Sequence, residues 1–226
     1  MSEKKPEVYK LKPKDASTLI IVRDGKEVLM GKRSTKHVFM ASKYVFPGGR
    51  VDRADGLVPR PIDLESDVAQ QLERGATPHR SRALAMAAIR ETYEEAGLIL
   101  GADQDGSVKT RSPGWKDFYG MGKVPALDKL EYIARAVTPP GRPRRFDSRF
   151  FMVDADHLEG RVDGNGELLD LQWVGIKDAH DLDLPNITRL IIDLIDKRVK
   201  DRAHRGHDAG IPFVRTVNQR HIISEH

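Results

Sequence analysis

The run from Ser81 to Gly97 constrains the fold more than any other part of this 226-residue chain. Ser81 to Ile89 (S-R-A-L-A-M-A-A-I) is built of good helix formers and leads directly into Arg90-Glu91-Thr92-Tyr93-Glu94-Glu95-Ala96. Gly97 follows, where a helix C-cap is expected, so the spacing predicts one helix over Ser81–Ala96. Glu91 and Glu95 then share a face, with Glu94 about 100° round from Glu95. Three like charges this close repel one another unless a cation sits among them. Oxygen ligands on one rigid element suit a hard divalent ion, Mg²⁺ or Mn²⁺, of the kind that also binds substrate phosphates. Arg90, four residues before Glu94, is placed to hold that carboxylate in an ion pair. Taken alone, the same pattern also describes a solvated, charge-laced helix face.

A second feature lies upstream. Tyr44-Val45-Phe46-Pro47-Gly48-Gly49-Arg50-Val51-Asp52 is an apolar strand end that runs into a tight turn. Its glycines let backbone approach a ligand or a neighbouring helix closely. Phe46-Pro47-Gly48-Gly49 together with Arg90-Glu91-x-x-Glu94-Glu95-x-Gly97-Leu98 resembles the Nudix box, G-x5-E-x7-R-E-U-x-E-E-x-G-U, where U is bulky and apolar. Thr92 stands at the first U and is less apolar than the pattern. The resemblance implies an α/β/α sandwich around a mixed sheet and metal-dependent hydrolysis of a diphosphate linkage. It also implies Glu91, Glu94 and Glu95 as ligands of Mg²⁺ or Mn²⁺, a catalytic role for Arg90, Glu94 and Glu95, and a Gly48-Gly49 loop that meets substrate. A homodimer is a further implication.

The box is interrupted. Counting forward from Gly49, the first glutamate position falls on Asp55; counting back from Arg90, it falls on Arg82, and the two counts differ by 27 residues. An insertion of about that length, roughly residues 56–80, contains Pro59, Pro61, Gly75 and Pro78 around a short amphipathic piece, Leu64 to Leu72. It reads as a loop carrying one or two helical turns. If the insertion follows Asp55, that residue can supply the missing acid as a further metal ligand, one methylene shorter than glutamate.

Interrupted boxes are similar to a Nudix subgroup that acts on coenzyme A esters. Leu29-Met30-Gly31-Lys32-Arg33-Ser34, at matching spacing before the glycine turn, partly fits the coenzyme A pattern L-L-T-x-R-S-x3-R-x3-G-x3-F-P-G-G; Val38 and Ser42 replace its internal Arg and Gly. Arg33 is therefore a substrate-binding candidate for coenzyme A or its esters, with ADP-ribose and NADH as the alternative substrates. The proline-rich segment Thr138 to Arg149 holds Arg142, Arg144, Arg145 and Arg149. Arginine forks suit phosphate oxygens, and a neighbouring aromatic ring can stack on a base, which makes Arg144, Arg145 and Phe146 candidates too. The competing reading pairs Asp147 with Arg149. For a base outside the box, Glu159, Glu167 and Asp170 are the candidates.

Composition restricts the remaining classes. The chain has no cysteine, so disulfides, thiolate zinc sites and a cysteine nucleophile are excluded. No apolar run reaches membrane-spanning length, and Met1 to Pro13 lacks the apolar core of a signal peptide, so a cytoplasmic protein is expected. The formal charge of +4 suits anionic small molecules, without the interleaved basic and aromatic residues of a nucleic-acid binder. His204, His207, His221 and His226 show no metal-ligand spacing and read as surface residues.

Strand-like runs are Ala16–Arg23 and Glu27–Arg33 about an Asp24-Gly25-Lys26 hairpin, then Tyr44–Phe46, Leu130–Val137, Arg149–Val153 and Leu168–Val174. Asn186 is the expected N-cap of a helix through about Arg202 with Ile187, Leu190, Ile191, Leu194, Ile195 and Val199 on its inner face. A single domain with a tail over about 204–226 follows, in which Ile211 to Val214 packs on the body or on a second subunit. Two function classes remain open: a diphosphohydrolase, and a ligand-binding or regulatory module on the same fold with little turnover.

Overall fold

The structure, a computed structural model, describes residues 11–35, 41–106, 108–200, 210–217 and 220–225. Val38, His204, His207, His226 and most of the N-terminal segment lie outside these residues, as does the side chain of His221. Strands β1 (Lys14–Arg23) and β2 (Glu27–Arg33) form the expected hairpin, with Asp24 and Gly25 at φ 53° and 62° in its turn. Positive φ at two successive residues matches the right-handed twist of the flanking strands. Two short strands follow, β3 (Tyr44–Val45) and β4 (Gly48–Arg50). Helices α1 (Ser66–Glu73) and α2 (Pro78–Ala96) come next, then the short strands β5 (Leu98–Ile99) and β6 (Gly101–Asp103), helix α3 (Pro113–Gly120) and β7 (Lys123–Pro125). The chain continues through β8 (Glu131–Val137), β9 (Phe146–Asp154), β10 (Glu159–Gly160), β11 (Leu168–Gly175), α4 (Asn186–Lys200), β12 (Pro212–Val217) and β13 (Arg220–Glu225).

The main sheet runs β11-β2-β1-β9-β8-β12-β13, with β3 on β2 and β4 on β1. It is mixed: β1 with β9 and β8 with β12 are parallel, the other pairs antiparallel. Alternation in β9 shows why both faces are covered. Phe151 and Val153 join the core beneath α1, α2 and α3, whereas Phe150 and Met152 join the core beneath α4. The architecture is an α/β/α sandwich. Among the described residues no helix is long and apolar enough to cross a membrane.

Helix α2 begins three residues before the expected Ser81. The Thr77 side chain caps the amide of Arg80 and Pro78 takes the first turn, a position where a missing N–H costs nothing. Its far end is as expected, with Gly97 in the left-handed conformation at φ 69°. Ala83, Ala85, Ala87 and Ala88 are buried on α2, and their small side chains let the helix lie close to the sheet. Leu84 and Met86, fully buried, each contribute about 2 kcal/mol of transfer free energy.

Several expectations need correcting. The segment from Gly101 to Lys123, to which the sequence reading assigned no element, contains β6 and α3. Asn186 is the first residue of α4 rather than its cap. β9 starts at Phe146, so only Thr138 to Arg145 of the arginine-rich segment is loop. Of the two placements expected for the tail run Ile211 to Val214, the structure shows packing on the body: Phe213 and Val214 sit opposite Arg135 and Ala136 in β8.

Candidate functional site

Strand β4 is placed by antiparallel pairing with the first half of β1, Ser17 opposite Gly49 and Thr18 opposite Gly48. This brings the glycine turn against the C-terminal half of α2. The amide of Gly48 donates to Glu95 Oε2 at 2.8 Å. A methyl group on Gly49 would overlap the Glu91 carboxylate. Glycine is required there by close approach, as the sequence implied. Glu95 is only 3% exposed.

Arg90 organises the other two acids. Its Nη1 donates to Glu91 Oε1 and to Glu94 Oε2, both at 2.9 Å, while Nη2 donates to the Arg50 carbonyl at 2.9 Å. Its Nε and Nη2 also form a two-point ion pair with Asp55, at 2.8 and 3.0 Å. Burial by itself would lower the Arg90 pKa, but the Asp55 hydrogen bond and the charges of Glu91, Asp55 and Glu94 raise it further.

Each of the three glutamates spends one carboxylate oxygen on the protein and keeps the other. Oε2 of Glu91, Oε1 of Glu94 and Oε1 of Glu95 accept no hydrogen bond among the described residues. Burial pushes Glu91 up to about 7, with Arg90 opposing and Glu94 adding to the shift. Burial likewise pushes Glu95 up to about 8; the Gly48 amide opposes and the Glu91 charge reinforces it. Glu94 is raised by burial also. Once ionised, these carboxylates carry more negative charge than Arg90 neutralises, and their free oxygens are hard donors suited to a divalent cation. In the side-chain positions seen, no group of three acids or histidines among the described residues forms a ready-made metal cage. Arg90 and the Gly48 amide hold them.

Asp55 differs. It is fully buried, and both oxygens are saturated: Oδ1 accepts from Arg90 Nε and from Trp115 Nε1 at 2.9 Å, Oδ2 from Arg90 Nη2 and the Asp52 amide at 2.7 Å. The expected fourth metal ligand thus has no lone pair to spare. Of the two residues reached by counting, Asp55 meets Arg90, while Arg82 pairs with Asp63 and Glu73. Sequence reading missed Trp115, although Ser112-Pro113 followed by Trp115, Phe118 and Tyr119 is a helix start with apolar residues on one face.

The remaining candidates divide. The charge of Arg33 is felt at Glu95, where it opposes the upward shift, and Glu167 is felt there too, in the other direction. Arg145 donates to the carbonyls of Thr138 and Leu11, Arg144 is exposed, and Phe146 lies opposite Lys14 at the start of β9. The structure does not bring Arg144 or Arg145 to the acids. Asp147 and Arg149 pair, and Arg135 and Arg80 converge on the same carboxylate.

No family model matches the sequence. A putative Nudix hydrolase 7 from Caenorhabditis elegans is 25% identical over 178 residues, covering 74% of this chain and 52% of that protein. The acyl-coenzyme A diphosphatase NUDT19 of Xenopus laevis is 27% identical over 201 residues, covering 65% of this chain and 52% of that protein. The chain spans about half the length of these curated relatives. Among solved structures, a Nudix hydrolase from Alicyclobacillus acidocaldarius superposes with a TM-score of 0.63 at 26% identity, covering 84% of this chain and 97% of that one.

Proposed function

We infer that this chain is a Nudix-type hydrolase, a divalent-cation-dependent diphosphohydrolase whose substrate is coenzyme A or one of its esters. The observation that carries the reading is the set of free oxygens on Glu91, Glu94 and Glu95 beside the Gly48-Gly49 turn. A solvated helix face would not bury Glu95 to 3% exposure or hold Glu91 against a glycine.

Mg²⁺ or Mn²⁺, held by these three glutamates, would screen the charge of the diphosphate and lower the pKa of a water. The residues around them have separate tasks. Arg90 orients Glu91 and Glu94, the Gly48 amide orients Glu95, and Asp55 anchors Arg90. Gly49 leaves room for the Glu91 carboxylate. Residues 56–80 interrupt the box between Asp55 and Arg90 without separating the two side chains. The coenzyme A assignment is supported by the named activity of the Xenopus laevis relative and by the partial motif ending at Arg33 and Ser34.

The test is product release from coenzyme A, acetyl-coenzyme A, NADH, ADP-ribose and nucleoside triphosphates, with Mg²⁺ and with Mn²⁺, beside Glu95→Gln. Metal-dependent cleavage of the coenzyme A species is the expected result. Preference for ADP-ribose or NADH overturns the substrate; binding without turnover of any substrate overturns the enzyme.

A further inference from the structure

Next to the glycine turn, on the side of the α2 N-terminus, lies an open groove of about 550 Å³. Its walls are Lys14 and Asp15 from the start of β1, Arg50 to Arg53 from the chain leaving β4, and His79, Arg80 and Ala83 from α2. The volume falls in the range of small-molecule sites. Arg80 and Asp15 are committed to each other, with Arg80 Nε to Asp15 Oδ2 at 2.6 Å. Lys14, Arg50 and Arg53 are exposed, and their side chains make no hydrogen bond or ion pair among the described residues. Asp52 is the one carboxylate on the lining not held by an arginine. The groove therefore presents three available cations against one available anion.

Other features add to this bias. The first turn of α2, a nineteen-residue helix, points its positive end here. The Lys14 amide donates to the Arg145 carbonyl at 2.9 Å, so the arginine-rich segment abuts the same rim. Leu57, 66% exposed, supplies an apolar edge. The groove also adjoins the acids. The carbonyl of Arg50, on its wall, is held by the Arg90 guanidinium that orients Glu91 and Glu94. Ala83 on its lining lies eight residues before Glu91 on the same helix, roughly 12 Å along the axis. That is within the reach of one nucleotide.

We propose that this groove binds a phosphate monoester on the ribose of the substrate, remote from the diphosphate that is cleaved, through Lys14, Arg50 and Arg53. It rests on the diphosphohydrolase reading and deepens it: the substrate class is a ribose-phosphorylated nucleoside diphosphate, which coenzyme A is and which NADH and ADP-ribose are not. Arginine forks and a lysine suit the two free charges of such a monoester.

The experiment compares adenosine 3′,5′-bisphosphate with adenosine 5′-monophosphate by titration calorimetry, and coenzyme A with 3′-dephospho-coenzyme A by kcat/KM. Both are run on the wild type and on Lys14→Gln/Arg53→Gln. The wild type should prefer the 3′-phosphorylated member of each pair by about tenfold or more. The double variant should lose that preference while keeping its affinity for the monophosphate. Equal binding of the two adenosine phosphates by the wild type, or a preference that survives the double substitution, overturns the proposal. The two readings fail separately. Turnover of both coenzyme A species without discrimination removes the groove and leaves the hydrolase. A binding preference lost in the variant, with no turnover of either, keeps the groove and removes the hydrolase.

Discussion

Arg90 and Asp55, 35 positions apart in sequence, form a buried two-point ion pair at 2.8 and 3.0 Å. Only the Arg90 side of this pair reaches the acids, through Nη1 to Glu91 and Glu94. Asp55→Ala would leave a buried guanidinium facing an empty site and would orphan Trp115 Nε1 and the Asp52 amide. Breaking a buried pair by removing one partner costs about 3 kcal/mol or more. Urea unfolding should show that loss, and kcat should fall because Arg90 no longer orients two of the three glutamates. A stability change under about 1 kcal/mol would show that the pair is not what closes this segment.

The glycine turn makes a sharper prediction about function than about folding. In Gly49→Ala the new methyl group overlaps the Glu91 carboxylate, which must move. Gly49 pairs with Ser17 through backbone alone, so the strand can persist. Mg²⁺ affinity, followed by calorimetry, should drop about tenfold or more, for the loss of one ligand's geometry. A variant with unchanged Mg²⁺ affinity would remove Glu91 from the ligand set.

How much of this was readable beforehand follows from the range of each interaction. Helix α2, its Gly97 cap and strand β2 rest on local propensity and periodicity, which the sequence carries directly. The clustering of Glu91, Glu94 and Glu95 follows from helix geometry, and their approach to Gly48 and Gly49 from the box resemblance. The saturation of Asp55 was not readable, because it depends on Trp115 arriving from α3, 60 positions away. The pairing of Asp147 with Arg149 was readable as one alternative, but the burial of Asp147 was not: prolines at 139, 140 and 143 suggested loop up to Arg149, whereas parallel pairing with β1 begins at Phe146. The groove is assembled from three separate segments and has no signature in any one of them.

Glu95→Gln separates chemistry from stability. Glutamine can still accept from the Gly48 amide, so the turn remains supported. One ligand charge is lost, and with it several kcal/mol of transition-state stabilisation, on the order of 10³-fold in kcat. Metal-free stability should not fall, since the wild-type residue is a buried acid whose pKa is already driven up by burial. Near-wild-type turnover, measured with Mg²⁺ at saturation, would rule out Glu95 as a ligand.

The same burial makes the metal-free protein sensitive to pH in a definite direction. An unfolded glutamate titrates at about 4.3, whereas Glu91 and Glu95 are pushed up to about 7 and about 8 in the fold. Between those values the folded protein holds more protons than the unfolded chain, so the stability they contribute is complete at low pH and declines as pH rises through 7 and 8. Asp63 and Asp147 are lowered below their usual range and act only in acid, outside that interval. In EDTA, Tm should therefore fall from about pH 5 to pH 8.5. A cation binds the deprotonated acids, so with Mg²⁺ present the decline should flatten or reverse. Glu91→Gln/Glu95→Gln should flatten it without metal. If the wild-type Tm in EDTA rises over this range, or if the double variant declines as steeply as the wild type, these two carboxylates are not the groups whose charge strains the fold.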